Sequence, residues 1–116
     1  MAFSTSGKDV MLDQLGTVAV YASLHTADPG GTGTSEATGG TPAYARKSIT
    51  WNASSGGSKT ASNAPVFDVP AGTYSHFGLW SAVSGGTFYG GGTLSASETF
   101  AAQGTYTLST TTLSVT

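Results

Sequence analysis

The sequence predicts an all-β fold, a single sandwich of six to eight short antiparallel strands of jelly-roll or immunoglobulin-like type, with one short N-terminal helix. Three observations carry this expectation. Short segments with an apolar residue at every second position recur along the 116 residues, which is the period of a half-buried strand. Turn signals built from Gly, Pro, Asn and Ser separate them at intervals of about 8–12 residues, the spacing of sandwiches and barrels. Helical spacing is confined to the N-terminus, and no internal repeat suggests a solenoid or propeller. Residues 1–116 are read as one domain, with 1–16 an arm and short helix and 30–42 a long Gly- and Thr-rich loop.

The helix begins with an N-cap pattern at Ser6-Gly7-Lys8-Asp9, whose acidic residue suits the helix dipole. Val10, Met11, Leu12 and Leu15 follow at helical spacing, and Gly16 is a natural stop. A helix of at most about ten residues is marginal alone in water, so it must dock, on its own sheet or on a neighbouring subunit. Val18 to His25 alternates, with Val18, Val20, Ala22 and Leu24 on one side, and ends at Asp28-Pro29-Gly30-Gly31, a turn signal. The following loop has Glu36 as its only charge and exceeds the length of about 12 residues beyond which loops are often functional or mobile. Tyr44 to Ala53 alternates again, and Lys59 to Ser62 reads as a short return strand. Pro65 and Pro70 bracket a strand that lies near the rim of its sheet, because proline has no amide donor. Tyr74 to Val83 is the most apolar strand, Ser84-Gly85-Gly86 a hairpin turn, and Gly90-Gly91-Gly92 a bulge or sharp bend. Residues 105–109 and 112–116 alternate Thr or Ser with apolar residues as the last strands.

Charged residues make up 9% of the chain and the net charge is −2, against about 25% charged residues in ordinary soluble domains. A nucleic-acid partner needs a basic patch to displace counterions, and a membrane-surface anchor needs a polybasic cluster; neither partner is expected. The low charge gives weak repulsion between copies and permits close packing of subunits. There is no cysteine, hence no disulfide framework and no thiolate metal site. The N-terminus lacks the apolar region of a signal peptide, so synthesis in a cytoplasm is expected, with any later export as part of a particle.

The catalytic inventory is thin. His25 and His76 are the only histidines. A Ser-His-Asp arrangement on paper is chance availability, since a triad is defined by geometry, and no Gly-x-Ser-x-Gly elbow occurs. His25 is read as a turn cap and His76 as a sheet-edge residue. Asp28, Glu36, Asp68 and Glu98 all read as turn carboxylates, with no pair marked out for glycoside hydrolysis. No metal site and no cofactor is expected, and the glycine runs lack the helix and lysine of a phosphate cradle. The chain is read as non-enzymatic. Phe3, Val10, Met11, Leu15 and Glu36 are the candidate assembly interface. Tyr44 and Tyr89 are candidate glycan contacts, weighed against the core's own need for aromatic rings.

Several strings read together carry a resemblance: Leu24-His25-Thr26-Ala27-Asp28-Pro29-Gly30, Tyr44-Ala45-Arg46, Phe67-Asp68-Val69-Pro70-Ala71-Gly72-Thr73, His76-Phe77-Gly78-Leu79-Trp80 and Gly85-Gly86-Thr87-Phe88-Tyr89. Together they resemble a family of small virion proteins of tailed bacteriophages, common in phages of actinobacteria and variously labelled head decoration, minor capsid, minor tail or tail fibre protein. The resemblance spans nearly the whole chain and brings no catalytic residues. It implies a structural protein of the virion. Its leading form is a decoration protein on the outside of the head, with the major capsid protein as partner and a homo-oligomer such as a trimer. The alternative is a minor tail or tail-fibre protein that meets the host surface, through glycan in one version, with a tail protein as partner.

Overall fold

The computed structural model describes residues 2–109 and 111–115. It is an all-β fold with one helix. The helix α1 (Thr5–Val18) is followed by β1 (Tyr21–His25), β2 (Lys47–Ser48), β3 (Ser58–Thr60), β4 (Val66–Val69), β5 (Gly72–Trp80), β6 (Phe88–Phe100), β7 (Gly104–Thr107) and β8 (Thr112–Ser114). Every pairing is antiparallel. A four-stranded sheet has the order β2-β1-β5-β6, and two ribbons pair β3 with β8 and β4 with β7. Ala22, Leu24, Phe77, Leu79 and Leu94 of the large sheet share one apolar cluster with Phe67, Val69 and Tyr106 of the β4-β7 ribbon. This shared core makes the arrangement a sandwich, as the alternation predicts.

The helix is longer than expected. Ser4, not Ser6, caps it, its Oγ accepting from Gly7 N at 3.1 Å. It also runs through Gly16 and ends where Ala19 N–H donates to Leu15 O. Glycine inside a helix costs about 1 kcal/mol relative to alanine, but here the site is crowded: a Cβ on Gly16 would lie 3.1 Å from Lys59 Cε. Tertiary contact therefore carries the helix past its sequence stop.

That contact is polar as well as apolar. Leu12 is buried, and Leu15 packs against the core. Beside them Asp9 Oδ1 accepts from Gly57 N at 2.9 Å, Asp13 Oδ1 accepts from Ser54 N at 3.0 Å, and Ser54 Oγ donates to Asp9 O at 2.9 Å. Lys59, buried in β3, donates to Asn52 O at 2.7 Å and pairs with Asp13 at 2.9 Å. The helix thus docks on its own chain, against β3 and β8.

Other expectations are corrected by packing. The strand expected from Tyr44 to Ala53 contracts to Lys47–Ser48, with an isolated bridge between Trp51 and Ala61, because Tyr44 and Arg46 turn toward Glu36 instead of continuing a ladder. The bulge expected at the triple glycine is present beside Gly90, where the register slips between Leu79–Gly90 and Trp80–Phe88, and β6 runs on through all three glycines. Asp68 and Glu98 stand in β4 and β6 rather than in turns. His76 lies in β5, an inner strand of the large sheet, and not at an edge.

The helix clamp has a pH dependence. The Lys59 ammonium, followed by the Ser54 amide, holds the half-exposed Asp13 carboxyl down to about 2, from an ordinary value of 3.8. A depressed carboxylate contributes stability above its unfolded value and loses it as the pH falls through the folded one. Amides of α1 are therefore expected to lose hydrogen-exchange protection as the pH drops from 3.8 toward about 2, while Phe67 and Tyr106 in the core keep theirs.

Candidate binding groove

In the connection from β1 to β2, residues 26–46, Gly33 and Thr34 lie over the second face of the large sheet, against Trp80 and His25, Glu36 bridges His25 at the edge of β1, and Ala37 returns to the main core. Ser23 and His25 of β1 point to this second face, opposite Gly78 and His76 in the register with β5. Both are buried completely, so β1 hides both of its faces, which a simple alternation of apolar and polar residues does not signal. Gly78 makes the room: a Cβ there would meet Ser23 Oγ at 2.6 Å and His25 Nε2 at 2.8 Å.

The proton positions follow from the partners. His25 Nδ1 lies 2.7 Å from Thr34 O, and a carbonyl only accepts, so the imidazole proton sits on Nδ1. Its Nε2 then accepts from the Ser23 hydroxyl at 2.7 Å, and Ser23 Oγ accepts from Trp80 Nε1 at 2.9 Å. Burial lowers the His25 pKa, against the opposing effect of the Thr34 bond, and keeps the ring neutral. This chain ties β1, β5 and the loop together. As a serine and histidine pair it has no access to substrate, because neither side chain reaches the surface.

Trp80 also carries the next layer. The Arg46 guanidinium stacks 3.6 Å from its ring centroid. Arg46 Nε donates to Glu36 Oε2 at 3.0 Å and Nη2 to Glu36 Oε1 at 2.9 Å, a two-pronged ion pair. Arg46 Nη1 donates to Ala82 O at 3.0 Å and Gly85 O at 2.8 Å, which fastens the β5–β6 connection. Tyr44 hydroxyl donates to Glu36 Oε2 at 2.9 Å and accepts from Leu24 N at 3.0 Å, and its ring stacks on Phe67 with centroids 6.1 Å apart. Burial, with Glu36 adding to it, pushes the Tyr44 hydroxyl pKa upward.

Above this pair lies an open groove of about 440 Å³, between Thr38, Gly39 and Ala45 on one wall and Val83 and Ser84 on the other. Glu36 and Arg46 form its base, with side chains 20% and 9% exposed. Its volume is within the range of about 300–1,000 Å³ common for small-molecule sites.

The candidate assembly residues separate into two groups. Phe3, Val10 and Met11 are exposed. Leu15 packs against the core, and Glu36 is committed to Arg46 and Tyr44. Of the candidate glycan contacts, Tyr89 is exposed on β6 while Tyr44 is half-buried in the groove wall. Asp28 Oδ1 accepts from Gly30 N at 2.8 Å within its own turn. Among the described residues there is no cluster of metal-ligating side chains, and no helix is long and apolar enough to cross a membrane. Sequence reasoning missed Arg46 and Trp80 as the centre of the site. The available signal was that Arg46 is the only arginine in the chain and Glu36 the only charge in residues 30–42.

A sequence model of the family described as Podophage GP4 fiber I protein gp80 matches residues 13–116. No curated protein matches the chain.

Removing Arg46 leaves Glu36 without its partner in a largely covered site. Loss of one member of a buried pair costs about 3–5 kcal/mol, and the residual exposure of Glu36 moves the expectation for Arg46→Ala to about 2–3 kcal/mol, read as a lower urea midpoint. His25 gives a second expectation. Its folded pKa lies below the ordinary 6.5, so the unfolded chain takes up a proton that the native state refuses. Stability is then full above that value and declines as the pH falls below it, which urea midpoints at roughly pH 7.5 and 5.5 will show.

Proposed function

Because the chain belongs to the family of the Podophage GP4 fiber I protein gp80, a family of phage virion proteins, we propose that it is a non-enzymatic structural subunit of a tail fibre. The carrying observation is the family match, which takes in residues 13–116 and with them every strand of the fold. The family is that of a fibre protein, which supports the tail alternative over head decoration, the leading form implied by the resemblance. The chemistry agrees with a structural role. His25 and Ser23 are both buried and bonded to each other, and Glu36 and Asp28 each take part in internal hydrogen bonds.

In this role the partners are neighbouring fibre subunits, including copies of the same chain. Phe3, Val10 and Met11 supply exposed apolar surface on the arm and helix for such a contact. The face of the molecule with the long loop is left for the host surface.

Gold-labelled antibody against the protein, applied to purified particles, tests the location. Label confined to the tail is the expected result. Label spread over the head in hundreds of copies would restore the decoration reading, and absence from particles would overturn both.

A further inference from the structure

We propose that the groove over the Glu36–Arg46 pair binds a neutral saccharide. The proposal rests on the fibre reading only for its biological setting, and the binding itself is measurable on the isolated chain.

The base of the groove is charge-balanced. A carboxylate and a guanidinium lie 2.9 Å apart and cancel, so an ion of either sign would be desolvated there with no net counter-charge. Polar capacity nevertheless remains. A guanidinium has five N–H donors, and the internal bonds of Arg46 use one on Nε, two on Nη1 and one on Nη2. One Nη2 hydrogen is left. Glu36 Oε1 accepts a single bond, from Nη2, whereas Oε2 accepts two. The ion pair at the base therefore keeps one donor and one acceptor that no internal bond uses.

Two adjacent hydroxyls of a sugar ring match that pair, one accepting from Arg46 and the other donating to Glu36. The walls add the rest of what a sugar needs. Thr38 and Ser84 bring hydroxyl side chains, and Val83, 52% exposed, offers an apolar surface to ring C–H groups. The base is also rigid before any ligand arrives, since Arg46 is held by Glu36, two carbonyls and the Trp80 ring; a preformed site spends less binding energy on ordering.

Saturation-transfer NMR on the intact chain, with maltose, lactose and cellobiose beside galacturonic and glucuronic acids as probes, tests this. The expected result is binding of at least one neutral disaccharide with Kd of about 0.1–10 mM and at least tenfold weaker binding of the uronic acids. Ala45→Trp, at an exposed groove position, fills the space above the ion pair while keeping both of its members; it should weaken binding at least tenfold while the urea midpoint stays unchanged. Tyr89→Ala, outside the groove, should leave binding intact. No binding by any neutral probe at about 10 mM, preference for the acids, or loss in Tyr89→Ala with retention in Ala45→Trp would each overturn the proposal. None of these outcomes depends on where the protein sits on the particle.

Discussion

The indole of Trp80 is the piece on which the outer half of this structure depends. Its N–H starts the chain through Ser23 and His25 to Thr34 O, and its face carries Arg46, which grips Glu36, Ala82 O and Gly85 O. One side chain on one inner strand thereby fixes a long connection, a hairpin and the base of a groove. Backbone bonds reinforce it: Thr26 N donates to Ser35 O and Ala37 N to Leu24 O, each at 2.9 Å. Close approach is part of the design. Gly33 lies so near the Trp80 ring that a Cβ there would collide with it, and its φ of 80° is in the left-handed region that glycine favours. The cation over the ring is worth about 0.5–2 kcal/mol by itself. Its larger effect is to place the guanidinium where all its partners converge.

The same economy governs the charges. Of the ten charged side chains, six are fastened to the fold: Asp9, Asp13 and Lys59 at the helix, Asp28 in its turn, and Glu36 with Arg46 under the groove. Few charges are left to solvate the surface, which falls instead to Ser, Thr and Gly. A surface of that kind repels neighbouring copies weakly, in keeping with a subunit that works in company. The helix and the loop are held by different clamps on different parts of the molecule, so the arm that presents Phe3 and Val10 and the face that carries the groove can be altered separately.

The strands were legible in the sequence because period-two alternation and turn glycines are local signals. Val66–Val69 between its prolines and the long apolar β5 lie close to where the pattern puts them. What the pattern could not convey was set by distant partners. Gly16 reads as a stop until Lys59 is packed beside it. Residues 44–46 alternate like a strand, yet an ion pair with a residue ten positions earlier bends them away. Ser23 and His25 sit on the second side of β1, His25 reading as a turn cap, and the covering loop together with Phe88 buries them. Of the groove, Glu36 and Tyr44 were singled out for separate reasons, while Arg46 and Trp80, which bring them together, carry no local motif.

Native-state hydrogen exchange on Trp80→Phe tests the central claim most directly. Phenylalanine keeps an aromatic face but removes the indole N–H and much of the surface under Arg46. If Trp80 holds the loop, the amides of Thr26, Thr34 and Ala37 will exchange markedly faster in the variant, while those of Phe67 and Tyr106 across the core keep their protection. Unchanged exchange in the loop, or an equal loss of protection throughout the chain, would contradict it.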